Sequence, residues 1–153
     1  MNQKIILEDQ SIYFQELLRR IKETFPKSPG IYSITNTKNG KRYIGHSINL
    51  NSRLRNHLFS LQQNKHSNFR LQKAWNHYEG AKVFTTEVLQ LFERSFQAHQ
   101  WEFKGKDLIN YLPQTLLERQ WIEYYQSHVF NYGYNYNIYQ GRKEDRKPLC
   151  QRK

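Results

Sequence analysis

Long apolar runs are missing from this chain: no stretch of about 18 apolar residues occurs, so the sequence offers no membrane-spanning helix. Cysteine is nearly absent. The single Cys150 can form no internal disulfide, which fits a reducing, intracellular compartment. Met1–Gln10 has no long apolar core and carries acidic residues, so it does not read as a secretion signal, and a cytoplasmic location is expected. The most informative gap is in anionic side chains. Between Thr24 and Tyr78 there is no Asp or Glu, while the same segment holds nine Lys or Arg and four His. The whole chain has 24 Lys plus Arg against 13 Asp plus Glu, a net charge of +11 over 153 residues. A carboxylate-free basic stretch is what a surface facing phosphates needs, because each carboxylate would repel the backbone it approaches. Also absent are paired CxxC motifs, HExxH, a phosphate-binding GxxxxGK[ST] loop and a GxSxG elbow. The six histidines lack the cysteines or regular spacing of a zinc site.

What is present reads as one small mixed domain. Phe14, Leu17, Leu18, Ile21 and Phe25 recur at helical spacing, and Pro26 and Pro29 close that helix. Gly30–Thr35 and Lys41–His46 read as two strands joined at Asn39-Gly40, where both residues tolerate the positive φ of a type I′ turn. Leu50, Leu54, Leu58 and Leu61 mark a helix over about 50–64, and a shorter one is expected over 68–78. Residues 82–89 alternate as a third strand. Residues 92–112 have no clean period and are set apart as an insertion. Pro113 is expected to open a last helix with Leu117, Trp121, Tyr124 and Tyr125 on its apolar face. An aromatic and Asn-rich segment and a basic tail follow. The expected organisation is a helical extension over 1–27, a main domain over 28–140 that contains the 92–112 insertion, and a basic tail over 141–153.

The hairpin can be read in register. With Asn39 and Gly40 as a two-residue loop, Asn36 opposes Tyr43, and Tyr32 lies on the same face, while Ile31 and Ile44 share the other. A loop with an odd number of residues would instead put Tyr32 and Tyr43 on opposite faces. Two strand tyrosines by themselves more often pack against a helix than do chemistry. Arg53 and His57, at i and i+4, flank the leucine stripe at the margin of the core. Arg55 points elsewhere, as a solvated base would. Glu118 shares a helix edge with Trp121, Ile122 and Tyr125, so its carboxylate needs a cation, for which Arg53 or a metal ion would serve. Glu123 points away and reads as a surface charge.

Gly30-Ile31-Tyr32 followed by Tyr43-Ile44-Gly45 resembles the two halves of the GIY-YIG nuclease signature, with a hairpin-length gap between them. Arg53, His57, Glu118 and Gly133-Tyr134-Asn135 follow in family order. The segment from His66-Ser67-Asn68 through Leu71-Gln72-Lys73-Ala74-Trp75-Asn76 also looks like phage and intron-borne homing members. The resemblance covers about 28–138. It implies an α+β fold, a small three-stranded antiparallel sheet flanked by helices, here with an N-terminal helix. It also implies an endonuclease that hydrolyses phosphodiester bonds in double-stranded DNA with one Mg²⁺ (or Mn²⁺) per site. Carried over, Tyr32 is the general base, Tyr43 and His57 shape the site and assist proton transfer, Arg53 neutralises the scissile phosphate, Glu118 holds the metal and Asn135 supports the architecture, with Asn137 in reserve. Lys41, Arg42, His46, Arg55, His66, Arg70 and Lys73 are the candidate DNA contacts. The spacing from Leu89 to Glu118 is longer than in compact members, so Glu118 rests on its helix context. The sequence is compatible with a homing role, with a restriction role that would call for a homodimer, and with a decayed, non-catalytic nucleic-acid binder.

Overall fold

The computed structural model describes residues 2–92, 108–129 and 131–136, with side chains described over 11–92, 116–129 and 131–136. The order of elements is α1 (Asn2–Thr24), β1 (Gly30–Asn36), β2 (Arg42–Ser47), α2 (Leu50–Gln62), α3 (Phe69–His77), a single 3₁₀ turn (Gly80–Lys82), β3 (Phe84–Leu91) and α4 (Leu108–Tyr125). β1 is central and runs antiparallel to both neighbours, giving the strand order β2-β1-β3.

The two faces of this sheet bury different cores. Tyr32, Ile34 and Tyr43 point to one side, where α1 contributes Phe14, Leu17 and Ile21, and α2 contributes Leu50, Leu54, Leu58 and Leu61. Leu71, Ala74 and Trp75 of α3 complete that cluster. Each buried leucine contributes on the order of 1.5–3 kcal/mol by leaving water. Ile31 and Ile44 point to the other side and meet Ile122 of α4 and Phe92. Asparagines open both middle helices. The Asn49 side chain accepts from Ser52 N, and the Asn68 side chain accepts from Leu71 N.

The hairpin differs from its expected form. Thr35 pairs with Arg42 and Ile34 with Tyr43, and Asn36 N donates to Lys41 O at 2.9 Å. Residues 37–40 therefore form a four-residue loop rather than a two-residue type I′ turn. Gly40 N donates to Asn36 O, and Gly40 alone in the loop takes a positive φ, 74°. Glycine supplies that left-handed residue without a Cβ penalty, so Asn39 does not have to adopt it. The register slips by two residues, an even number, so Tyr32 and Tyr43 still share one face and Ile31 and Ile44 the other.

Two further expectations change at α4. The helix begins at Leu108, five residues before Pro113, so five residues of the expected 92–112 insertion are helical. Pro113 lies inside the helix and has no N–H to give to the carbonyl four residues earlier. Phe92 belongs to the core under α4, and its N–H donates to Pro29 O at 2.9 Å. The remainder of the insertion (93–107), Asn137, Cys150 and the basic tail lie outside the described residues.

Candidate active site

The candidate residues meet at the β2 edge of the sheet. Tyr32 starts on central β1, opposite Gly45. Its ring passes over Gly45, and any Cβ placed there would overlap the Tyr32 hydroxyl. The absent side chain thus lets a phenol from the middle strand reach across the edge strand. Tyr32 is fully buried, and Tyr43 nearly so. Their ring centroids stand 6.5 Å apart, as the shared face requires.

α2 brings the basic groups. Leu54, Leu58 and Leu61 anchor the helix in the core, and the i, i+4 spacing turns Arg53 and His57 to the tyrosines. His57 is buried, with its Nε2 2.5 Å from the Tyr32 hydroxyl oxygen. Its ring also packs edge-on to Tyr43, 5.5 Å between centroids. His66, from the turn after α2, places Nε2 2.6 Å from His57 Nδ1. Arg53 is exposed along much of its length, yet its charge is felt by Tyr32, Tyr43 and both histidines. Burial pushes the Tyr32 phenol well above its ordinary value, with Tyr43 adding to the rise, while Arg53 opposes it. Burial also pushes His57 well below the usual imidazole range, helped by His66 and Arg53, and it lowers His66.

Glu118 arrives from α4 on the opposite face and is 3% exposed. Its direct partner is His46, whose Nδ1 meets Glu118 Oε2. Arg53 does not pair with it directly, although Glu118 contributes to the fields at both Tyr32 and Arg53. As expected, Glu123 stays at the surface, where it pairs with Arg119 at 3.0 Å. Asn135 is fully buried and closes the open edge of β2. Its Oδ1 accepts from Ile44 N at 2.9 Å and from Ser127 Oγ at 2.7 Å, and its Nδ2 donates to Ile44 O at 2.9 Å. Beside it, Tyr134 N donates to Arg42 O, so the segment lies along β2 like a short extra strand.

The expected DNA contacts fall into three groups. Lys41, Arg70 and Lys73 gather around one cavity of about 480 Å³, floored by Phe69, Ala74, Tyr78 and Tyr134. Arg42 is instead held by Glu87 at 2.5 Å and lies over the Tyr125 ring at 4.2 Å, while Arg55 donates to Asn51 Oδ1 at 2.9 Å. His46 and His66 stand within the tyrosine, histidine and glutamate constellation rather than with the cavity. No local spacing brings either one there, because their partners lie 72 and 9 residues away along the chain.

The donor set can be tested against a divalent ion. Among the described residues no three His, Cys, Asp or Glu side chains converge as a metal cage. One buried carboxylate fits a hard ion that keeps most of its water and takes phosphate oxygens, as Mg²⁺ does. It does not fit a closed structural zinc site.

A sequence profile of the GIY-YIG catalytic domain matches residues 28–135. No curated protein sequence matches the chain. Among solved structures, a mutant form of the catalytic domain of intron endonuclease I-TevI is similar at 25% identity and TM-score 0.53, over 74% of this chain and 96% of that one. Another structure of the catalytic domain of homing endonuclease I-TevI gives 27% identity and TM-score 0.52, over 69% and 97%. Among the described residues no helix is long and apolar enough to cross a membrane.

Proposed function

From the premise that this chain belongs to the GIY-YIG catalytic-domain family, nucleases that act on phosphodiester bonds, we propose that it is a divalent-metal-dependent DNA endonuclease of the homing type. The observation that carries the reading is the meeting of Tyr32, Arg53, His57 and Glu118, from three different elements, at one edge of the sheet. The acid-free basic stretch supports DNA as the substrate. The likeness to the I-TevI catalytic domain supports the homing type over a restriction role.

Hydrolysis of a phosphodiester builds negative charge on the phosphoryl oxygens and on the leaving oxygen. Arg53, exposed beside the buried tyrosine, is placed to bind the scissile phosphate and to stabilise that charge as it develops. Tyr32 is the group that accepts a proton from the attacking water, which requires its ionised form. Burial opposes that form and Arg53 favours it, so substrate and base are both governed by the same guanidinium. Tyr43 and His57 fill the space around the phenol and exclude water from its sides. Glu118 is the residue that would hold the metal, and His46 fixes the carboxylate's orientation. A divalent ion bound there supplies Lewis-acid stabilisation of the phosphoryl and leaving oxygens. Lys41, Arg70 and Lys73 are the proposed contacts to flanking phosphates, and residues 1–27 are proposed as an extension to the catalytic domain.

The test uses the full chain with mixed plasmid and phage DNA, with Mg²⁺ or with chelator, followed by sequencing of the cut ends. Metal-dependent cuts at a restricted set of sites are expected. Glu118→Ala should abolish cleavage while DNA binding persists in a gel-shift assay. Full cleavage by Glu118→Ala in Mg²⁺ would sink the assignment.

A further inference from the structure

Tyr32, His57, His66 and the backbone of Asn68 form an unbroken line of hydrogen-bond contacts. Tyr32 Oη to His57 Nε2 is 2.5 Å, His57 Nδ1 to His66 Nε2 is 2.6 Å, and Asn68 N to His66 Nδ1 is 3.0 Å. Three of these groups can donate or accept. The fourth, a backbone N–H, can only donate. We propose that Asn68 sets the direction of the whole line, so that His66 is a positioning residue holding His57 as a hydrogen-bond donor to the Tyr32 oxygen. The proposal rests on the reading of Tyr32 as the proton-accepting group.

A neutral imidazole carries one hydrogen, on one ring nitrogen, and a lone pair on the other. Because Asn68 N–H donates to His66 Nδ1, that nitrogen keeps its lone pair, and the ring's one hydrogen is on Nε2. His66 Nε2–H therefore donates to His57 Nδ1, which must also keep its lone pair. The hydrogen of His57 is then on Nε2 and points at the Tyr32 oxygen. With nitrogens 2.6 Å apart, ring centroids 4.9 Å apart and planes inclined by 28°, the two rings meet edge to edge, as an N–H···N bond requires. Burial and the nearby Arg53 charge both favour the neutral form of the two imidazoles.

The starting donor is well anchored. Asn68 is buried, its side chain caps α3 at Leu71 N, and its Nδ2 donates to Tyr134 O at 2.8 Å. His66 N donates to Gln72 Oε1, and Gln72 Nε2 donates to Leu61 O, which ties the histidine's backbone to both helices.

The chemical consequence is specific. His57 Nε2 has no free lone pair, so His57 does not take the proton of Tyr32. It stabilises the ionised phenol by donating to it, alongside the charge of Arg53. The Tyr32 hydrogen must point away from His57 and leave by another side.

Long-range ¹H–¹⁵N correlation spectra of the full chain, without DNA or metal, report imidazole tautomers directly. Both His57 and His66 are expected to carry hydrogen on Nε2. A hydrogen on His57 Nδ1 would overturn the proposal. His66→Phe should release the His57 tautomer into a mixture and slow single-turnover cleavage by on the order of 10-fold or more. His66→Gln, which can both accept from Asn68 and donate to His57, should restore tautomer and rate together. A His66→Phe protein with an unchanged His57 tautomer would also overturn the proposal. The spectra require no activity, so the expected tautomers in a chain that cuts no DNA would leave the line standing and remove the nuclease reading.

Discussion

Gly45 decides how far the Tyr32 hydroxyl can extend across β2. Adding one methyl places a Cβ on top of that hydroxyl and forces the phenol off its contact with His57. Gly45→Ala is therefore expected to keep the fold while lowering the single-turnover cleavage rate by on the order of 10²-fold. Circular dichroism and quench-flow assays of the same preparation check both halves, and an unchanged rate would show that the close approach has no catalytic consequence. The histidines give a second outcome at this scale. Folding lowers the proton affinity of His57 and His66, so the unfolded chain binds more protons below its ordinary imidazole value of about 6.5. Their contribution to stability is present above that pH and is lost as pH falls through the window beneath it. Urea midpoints measured between about pH 7.5 and pH 5 should fall, and His57→Gln should flatten that slope. Tyr32 with Tyr43, and Arg53 with His57, were legible as pairs because strand parity and the i, i+4 rule fix which side chains share a face. His46 and His66 were not, because their partners, Glu118 and His57, are reached through turns and a change of layer that no local spacing encodes.

Among the elements, β2 is the one whose surroundings matter most to the site. It is an edge strand, and an unpaired edge is both wet and open to mispairing. The Gly133–Asn135 segment covers it, and Asn135 satisfies both backbone groups of Ile44 with one side chain. Asn135→Ala removes these bonds and the one from Ser127, leaving buried polar groups without partners. A loss of about 2–4 kcal/mol is expected from urea unfolding. A loss of only a few tenths would mean that water replaces the amide. In the hairpin, Asn39-Gly40 marked the turn, but the loop length was decided by the Asn36–Lys41 pair and by a single left-handed glycine. The start of α4 was missed because a proline was treated as a boundary, whereas here helical backbone continues on both sides of it.

For the molecule as a whole, charge and layering act together. α1 lies before the matched family segment, yet Phe14, Leu17 and Ile21 belong to the same core as Tyr32. Asn51 Nδ2 ties its end by donating to Phe25 O at 2.8 Å and Ile21 O at 3.1 Å. The net charge of +11 and the Lys41, Arg70 and Lys73 cluster make DNA binding strongly salt dependent if phosphates are neutralised there. Lys73→Ala should reduce the slope of log affinity against log salt by about 1, without altering the positions of the cut sites. Fluorescence anisotropy over a salt series checks this, and an unchanged slope would remove Lys73 from the interface.

The sequence by itself determined the composition of the sheet, the side of it on which each tyrosine and isoleucine falls, and the helix that carries Arg53 and His57. These follow from periods of two and of 3.6 residues, which are properties of the local backbone. Only the tertiary structure decided that Glu118 is satisfied by His46, that His66 stands behind His57, and that Asn135 seals β2. Those pairs are separated by 72, 9 and 91 residues and join different layers or a helix to the turn beyond it. Their meeting depends on how the layers stack around the glycine that lets Tyr32 through, and no repeat along the chain records that stacking.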